Sequence, residues 1–251
     1  MTLLLGFDPG GKKSFGWCVA ENALVLPLQI RATGVVDNAR DAILKAFACI
    51  KYGEQVFAAA IDAPMFWVPC GDRKVDRIVR NQVCGLKCPG GTVQAVNSLR
   101  GACLVQGMLT GILLREKFPA LPITESHPKA TLWLLRLADQ KRNPASILHA
   151  LSRLVVSASV GKTDHERDAA VAVLSAWAMT NQAHGWKDLY LEEQKEQKPY
   201  SPIESPLAYW MPEVDGAEPS REDMHGGRRE QKAVLRYSMK QAAKVAEENP
   251  Y

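Results

Sequence analysis

Short apolar runs separated by Gly, Asn and Pro dominate the first sixty residues. Leu3-Leu4-Leu5-Gly6-Phe7 leads into Asp8 and a Pro9-Gly10-Gly11 turn, and a second apolar run, Phe15 to Ala20, follows at once. The pattern predicts a β-hairpin with a carboxylate at the mouth of its first strand. A third strand is expected near 24–31. A helix near 39–51 follows, capped by Asp37 or Asn38, with Ala39, Ile43, Ala46, Phe47 and Ile50 on one face. Strand 56–61 ends at Asp62, and a helix near 73–82 comes next. Ser98 is placed to cap a long helix, 99–118, whose apolar positions are Ala102, Val105, Leu109, Ile112 and Leu113. Strand 121–124 ends at Glu125. Helices near 128–137, 144–155 and 164–183 complete the regular pattern.

That order predicts an α/β fold. A three-stranded antiparallel meander is extended by two parallel strands into a mixed five-stranded sheet flanked by helices. The pattern changes near residue 187. Residues 1–187 read as one catalytic domain, and 188–251 as a C-terminal extension. Within the extension, 191–223 is polar and rich in Pro and Glu, as an extended or partly disordered arm would be. Tyr209-Trp210-Met211-Pro212 is apolar enough to dock on the body, and 228–248 has a weak helical stripe. The arm is open to wrapping either a neighbouring copy or its own body, which leaves the oligomeric state open.

Charge sharpens this division. Residues 1–187 hold 22 Lys and Arg against 14 Asp and Glu, while 188–251 hold 9 against 13. A basic body suits a polyanionic substrate, although a solvated surface with a charge excess has the same composition. No apolar run approaches the about 18–20 residues of a membrane span. The N-terminus lacks a basic flank and a small-residue cleavage site, so no signal peptide is expected and the expected location is cytoplasmic. Six cysteines in a chain of 251 residues are expected to be free thiols. Cys84-x3-Cys88, with Cys70 and Cys103, does not have the paired spacing of a zinc site.

The candidate chemistry is carboxylate chemistry. Asp8 and Asp62 each stand at the C-terminal end of a predicted strand, the end of an open sheet where ligands bind. Two converging carboxylates build a poor core and a good site for a hard cation. The last long helix opens Asp164-His165-Glu166-Arg167-Asp168-Ala169-Ala170. Asp164 and Asp168 share a helix face. Asp164 doubles as an N-terminal capping acid, whereas Asp168 beside two alanines needs a partner on a buried face. Glu125 sits at a strand-to-helix junction in Glu125-Ser126-His127-Pro128. His127 and His165 lie beside these acids, where each is placed to position a water or move a proton. Lys12 and Lys13 in the first turn are candidates for phosphate contacts. So are Arg73, Arg77 and Arg80 along one helix face, unless Asp72 and Asp76 neutralise them internally.

Four segments taken together resemble a known family. They are Asp8 with Gly-Gly-x4-Gly-Trp, Ile61-Asp62-Ala63-Pro64 with its Asp72-Arg73-x2-Asp76-Arg77-x2-Arg80 continuation, Glu125-x-His127-Pro128, and Asp164-His165-x2-Asp168-Ala169. In this order they are similar to a predicted-nuclease family of unknown function with an RNase H-like fold. The Asp-x3-Asp-Ala helix is also similar to that of RuvC-type junction resolvases. The resemblance spans about residues 3–180. It implies Asp8, Asp62 and Asp168 as ligands of Mg²⁺ or Mn²⁺, with Glu125 or Asp164 as a fourth. It further implies two ions roughly 4 Å apart and hydrolysis of nucleic-acid phosphodiester bonds. The chain departs from the family after His-Pro, where an acid is frequent and this sequence has Lys129. Two other function classes remain open on the sequence. One is a nucleotide-using phosphotransferase or ATPase of related fold, and the other is a nucleic-acid-binding protein without catalysis.

Overall fold

In a computed structural model the chain is described over residues 1–69, 73–88, 90–94, 101–137, 151–156, 163–204 and 206–213. Asp72, Cys70, the proposed cap Ser98, most of the helix expected at 144–155 and the one expected at 228–248 lie outside the described residues. Eight strands form one sheet: β1 (Thr2–Asp8), β2 (Phe15–Glu21), β3 (Leu28–Val36), β4 (Gln55–Ile61), β5 (Ile123–Glu125), β6 (Val155–Val156), β7 (Trp186–Asp188) and β8 (Leu207–Pro212). Their spatial order is β6-β3-β2-β1-β4-β5-β8-β7. The inner five are those expected. β1, β2 and β3 pair antiparallel, while β4 and β5 run parallel to β1. This is the mixed sheet, an antiparallel meander extended by two parallel strands, that the sequence pattern predicts.

Three strands lengthen it beyond the expected five. β8 comes from the segment whose composition suggests an arm. It pairs parallel with β5, and all six of its residues are buried. Its apolar Tyr209-Trp210-Met211 core outweighs the polar sequence around it. The third strand also lies later than expected. Leu24 and Val25 are exposed ahead of it, and β3 continues through Arg31, Thr33 and Gly34. Beyond Leu28 and Ile30 the strand is only half-buried, so its polar alternation conceals its length from an apolar-run reading.

The sheet is covered on both faces. Leu3, Leu5, Phe7, Phe15, Trp17, Val19, Ala59 and Ile61 form one core with α1 (Ala39–Phe47), α2 (Lys74–Gly85) and α3 (Gly101–Lys117). Leu4, Cys18, Ala20, Ala58 and Ala60 face the other way, onto α5 (Asp164–Asn181). Strand alternation makes this division, because neighbouring residues point to opposite faces. Helix α4 (Pro128–Leu134) follows β5, and α6 (Tyr190–Glu196) precedes β8. Asn38 caps α1, accepting from the Asp41 amide, and Thr163 caps α5, accepting from the Glu166 amide.

Helix α3 packs on a different stripe from the expected one. Val105 and Leu109 are exposed, and Gly107, Thr110, Gly111 and Leu114 face inward. A Cβ at Gly107 would stand 2.3 Å from the Ala63 Cβ, and one at Gly111 would stand 2.2 Å from Ile203 Cδ1. Close approach through glycine replaces the larger residues an amphipathic reading selects.

Helix α5 sits closest of all. A Cβ at Gly6 of β1 would come 2.1 Å from the Ala169 carbonyl oxygen, and one at Gly16 of β2 would come 2.1 Å from the His165 carbonyl oxygen. Ala169, Ala170, Ala172 and Ala176 keep the helix side equally slim. We expect Gly6→Ala to lower stability by about 1–3 kcal/mol through forced displacement of backbone, whereas Gly11→Ala, whose Cβ would meet nothing within 4 Å, is near neutral. Urea denaturation midpoints of the two variants check this, and equal midpoints would contradict the close packing of α5.

Candidate active site

The α5 contact sets the geometry of the site. Asp8 closes β1 with the parity of Leu4 and Gly6, so its side chain rises on the α5 face. Asp62 follows β4 with the parity of Ala58 and Ala60, which is the same face. The Asp62 amide donates to the Phe7 carbonyl at 2.9 Å, holding the two strand ends together. Asp168 lies one turn into α5 and is 5 % exposed. Three carboxylates therefore converge from two strand ends and one helix.

Their electrostatics reflect crowding. Burial raises the Asp62 pKa well above the usual carboxylate value, and the charges of Asp8 and Asp168 add to it. Burial and then Asp8 push Asp168 up to about 6. Asp8 is also raised by burial, with the His165 hydrogen bond acting against it. His165 Nδ1 lies 2.7 Å from Asp8 Oδ2. A carboxylate only accepts, so Nδ1 carries the proton and Nε2 remains for exchange. That bond raises the basicity of His165. Among the described residues, no three His, Cys, Asp or Glu side chains are already gathered closely enough to hold one ion.

Other sequence-selected acids sit elsewhere. Glu125 aligns with Ile61 in the β4–β5 register, so it points to the face opposite Asp62. There Arg73 grips it, with Nη1 to Oε2 at 2.8 Å and Nη2 to Oε1 at 2.6 Å, and the Met65 amide adds a bond of 3.0 Å. Burial raises the Glu125 pKa, and Arg73 opposes the rise. Asp164 has a side chain 79 % exposed and pairs with Arg167 at 2.8 Å. His127 precedes α4, and its buried Nδ1 has no hydrogen-bond partner among the described residues. Burial lowers its pKa to about 4, so the ring is neutral at neutral pH.

The arginines do not form one surface face. Arg73 is 2 % exposed and stacks over the Phe66 ring, with its guanidinium carbon 4.4 Å from the centroid. It binds Asp76 as well as Glu125, at 2.7 Å from Nη2 to Oδ1. Internal neutralisation by Asp76 thus prevails for Arg73 over a phosphate contact. Arg77 reaches Glu196 at 3.5 Å, and Arg80 Nε donates to the Val93 carbonyl at 2.9 Å. Lys12 and Lys13 are exposed at the tip of the β1–β2 hairpin, close in sequence to Asp8. Lys13 takes a left-handed backbone, and its amide donates to Asp37.

Two cations at the site have no assigned role in the sequence reading. Arg167 spans Asp164 and Asp168, at 3.3 Å from Nε to Asp168 Oδ1. Its position between two acids of one helical turn is the signal that could have found it. Lys129, at the start of α4, acts electrostatically on Asp8, Asp62 and Asp168 alike. Its only sequence signal is the departure after His-Pro. Cys103 Sγ stands 3.7 Å from the Asp62 carbonyl oxygen, and burial raises its pKa to about 12, so it is a neutral wall of the site. Cys18, Cys49, Cys88 and Cys103 are free thiols.

No protein-family model matches the chain, and no curated protein does. Among solved structures it is similar to Thermus thermophilus RuvC, with 13% identity and a TM-score of 0.40 over 79% of this chain and 99% of that one. A superposition this loose says nothing about chemistry. No helix among the described residues is long and apolar enough to cross a membrane.

Two stability measurements follow from this geometry. Asp168 binds its proton more tightly folded than unfolded. Its contribution is therefore complete below about pH 4 and is lost as pH rises through about 6. In chelator, Asp168→Asn is expected to remove on the order of 2–3 kcal/mol of the stability loss between pH 4 and pH 7. An unchanged pH profile would mean that the acid is not crowded. Arg73→Ala leaves Glu125 and Asp76 buried without a counter-charge and is expected to cost about 3–5 kcal/mol in urea denaturation. A cost below about 1 kcal/mol would place Arg73 at the surface.

Proposed function

We propose that this chain is a metal-dependent nuclease that hydrolyses nucleic-acid phosphodiester bonds at Asp8, Asp62 and Asp168. The observation carrying this reading is the convergence of Asp8, Asp62 and Asp168, in which Asp8 and Asp168 raise the proton affinity of Asp62 and Asp8 raises that of Asp168. Like charges buried without a counter-ion hold one another apart and cost stability. A folded chain keeps such a set where a cation is meant to join it. The donor chemistry fits Mg²⁺ or Mn²⁺, hard ions that take oxygen ligands. When bound, such an ion supplies a hydroxide at neutral pH and charge against the phosphoryl oxygens.

The remaining roles belong to the chain's own side chains. Asp8 is oriented by His165, which fixes one carboxylate oxygen and leaves Nε2 to hold or release a proton. Arg167 keeps Asp168 turned toward the cluster. Cys103 and the buried α5 alanines keep bulk water from the floor of the site, strengthening each charge interaction. Lys12 and Lys13 extend from the hairpin beside Asp8, where a backbone phosphate of a polyanionic substrate would lie. Glu125 acts from the opposite face as an anchor for Arg73 and the Met65 loop, not as a ligand.

A labelled panel tests the reading: single- and double-stranded DNA, RNA, an RNA–DNA hybrid and a four-way junction, each with Mg²⁺, Mn²⁺ or chelator. Cutting is expected with a divalent ion and not with chelator. Asp8→Asn and Asp62→Asn are expected to reduce it by at least about 100-fold, the loss that follows even from removing a ligand's supporting partner. Folded protein that cuts nothing in Mn²⁺ would overturn the reading.

A further inference from the structure

We propose that residues 190–204 of the C-terminal extension act as a positioning strap for the site: Ser201 and Glu193 fix the segment that follows Asp62 and, through it, Asp62 itself. The inference rests on the reading above that Asp62 belongs to the active site, and deepens it.

The strapped segment is Met65-Phe66-Trp67. It belongs to no helix or strand among the described residues, and Trp67 forms an isolated bridge with Tyr200. Met65 and Phe66 are nevertheless fully buried, and buried backbone groups need partners. Two partners come from the Arg73 network. Glu125 accepts from the Met65 amide, and Arg73 Nη1 donates to the Phe66 carbonyl at 3.3 Å. Three more bonds come from the strap. Ser201 Oγ donates to the Met65 carbonyl at 2.6 Å, and Trp67 and Tyr200 exchange two backbone bonds of 2.7 Å. Ser201 Oγ is itself held, accepting from the Ile203 amide at 3.0 Å. The Tyr190 ring packs edge-on against Phe66, with centroids 4.9 Å apart.

The strap also fixes Arg73. Helix α2 begins at the residue after Arg73, and the Arg73 side chain does not cap it. The acceptor comes instead from Glu193, which is 0 % exposed. Its Oε2 accepts from the Val75 amide at 2.9 Å, and its Oε1 accepts from Gln197 Nε2 at 2.7 Å. A carboxylate there satisfies an orphan donor of the helix N-terminus and suits the helix dipole. Lys74 adds an ion pair to Glu196 at 2.9 Å. Glu193 thus sets where α2 starts, and so where Arg73 stands. Asp62 lies three residues before Met65, with Pro64 restricting the backbone between them. Its own amide is tied to the Phe7 carbonyl. The Asp62 main chain is therefore held between the sheet on one side and the strap on the other.

Amide hydrogen exchange of the full chain in chelator reads this positioning without any cleavage. Ser201→Ala is expected to speed exchange at the Met65 and Trp67 amides about threefold to tenfold, as the loss of one hydrogen bond would, with the amides of β1 and β2 unchanged. Ser201→Thr keeps the hydroxyl and is expected to restore the slow rate. Cleavage by Ser201→Ala is expected to fall about 10-fold or more in kcat with KM unchanged, and to recover in Ser201→Thr. Glu193→Gln keeps an acceptor for the Val75 amide and is expected to be milder than Glu193→Ala in both measurements. Unchanged exchange at Met65 and Trp67, a rise spread evenly over β1 and β2, or a local rise with kcat intact would each overturn the strap's role and leave the nuclease reading standing. Wild type that cuts nothing, while Ser201→Ala still loosens Met65 and Trp67, would overturn the nuclease reading and leave the strap's hold on this segment supported.

Discussion

Helix α5 lies against β1 and β2 closely enough that only glycine fits beneath it. Gly6 meets the Ala169 carbonyl and Gly16 the His165 carbonyl, each at a distance no side chain could share. Because main chain rests on main chain, the helix cannot slide or rotate without losing this fit. The same contact carries Asp168 over the end of β1 and brings His165 to Asp8 at 2.7 Å. The site is therefore a consequence of helix-to-sheet packing. Its first-turn side chains reach the strand ends because the helix lies so close to Gly6 and Gly16.

The sheet keeps two kinds of acid apart by parity. Asp8 and Asp62 leave their strands on the α5 face, where they meet Asp168 and no full counter-charge. Glu125 leaves its strand on the other face, where Arg73 encloses it with two hydrogen bonds and brings Asp76 alongside. One face thus holds a frustrated cluster and the other a satisfied network. The satisfied network anchors the segment after Asp62 through the Met65 amide, and Phe66 and Tyr209 cover its guanidinium.

The cluster is not bare. His165, Arg167 and Lys129 each bear on it, in three different ways. His165 fixes one oxygen of Asp8, Arg167 restrains Asp168, and Lys129 acts on all three acids from an exposed position. None of these groups encloses its carboxylate as Arg73 encloses Glu125.

Much of this was legible in the sequence. The hairpin closing on Asp8, the strand ending at Asp62 and the alanine-rich helix behind Asp168 are local patterns, set by turn residues and by spacing of small side chains. The inner five strands follow from them. What the sequence could not decide is which way each side chain points once strands pair. The Ile61↔Glu125 register sends Glu125 to the face away from Asp62, and no local pattern encodes a partner strand's register. Arg73 reads either as one of a surface row or as neutralised by a neighbouring acid, and tertiary contact with Glu125 and Asp76 decides for the second. The apolar Tyr209–Pro212 segment reads as able to dock on the body, and pairing with β5 decides that it does so as a strand. α3 looked amphipathic on large residues, but Gly107 and Gly111 allow closer packing than those residues could. Local sequence determined where each acid stands along its own strand or helix. Only the packing of strands and helices decided which acids share a face, because that depends on register and close approach between segments far apart in the chain.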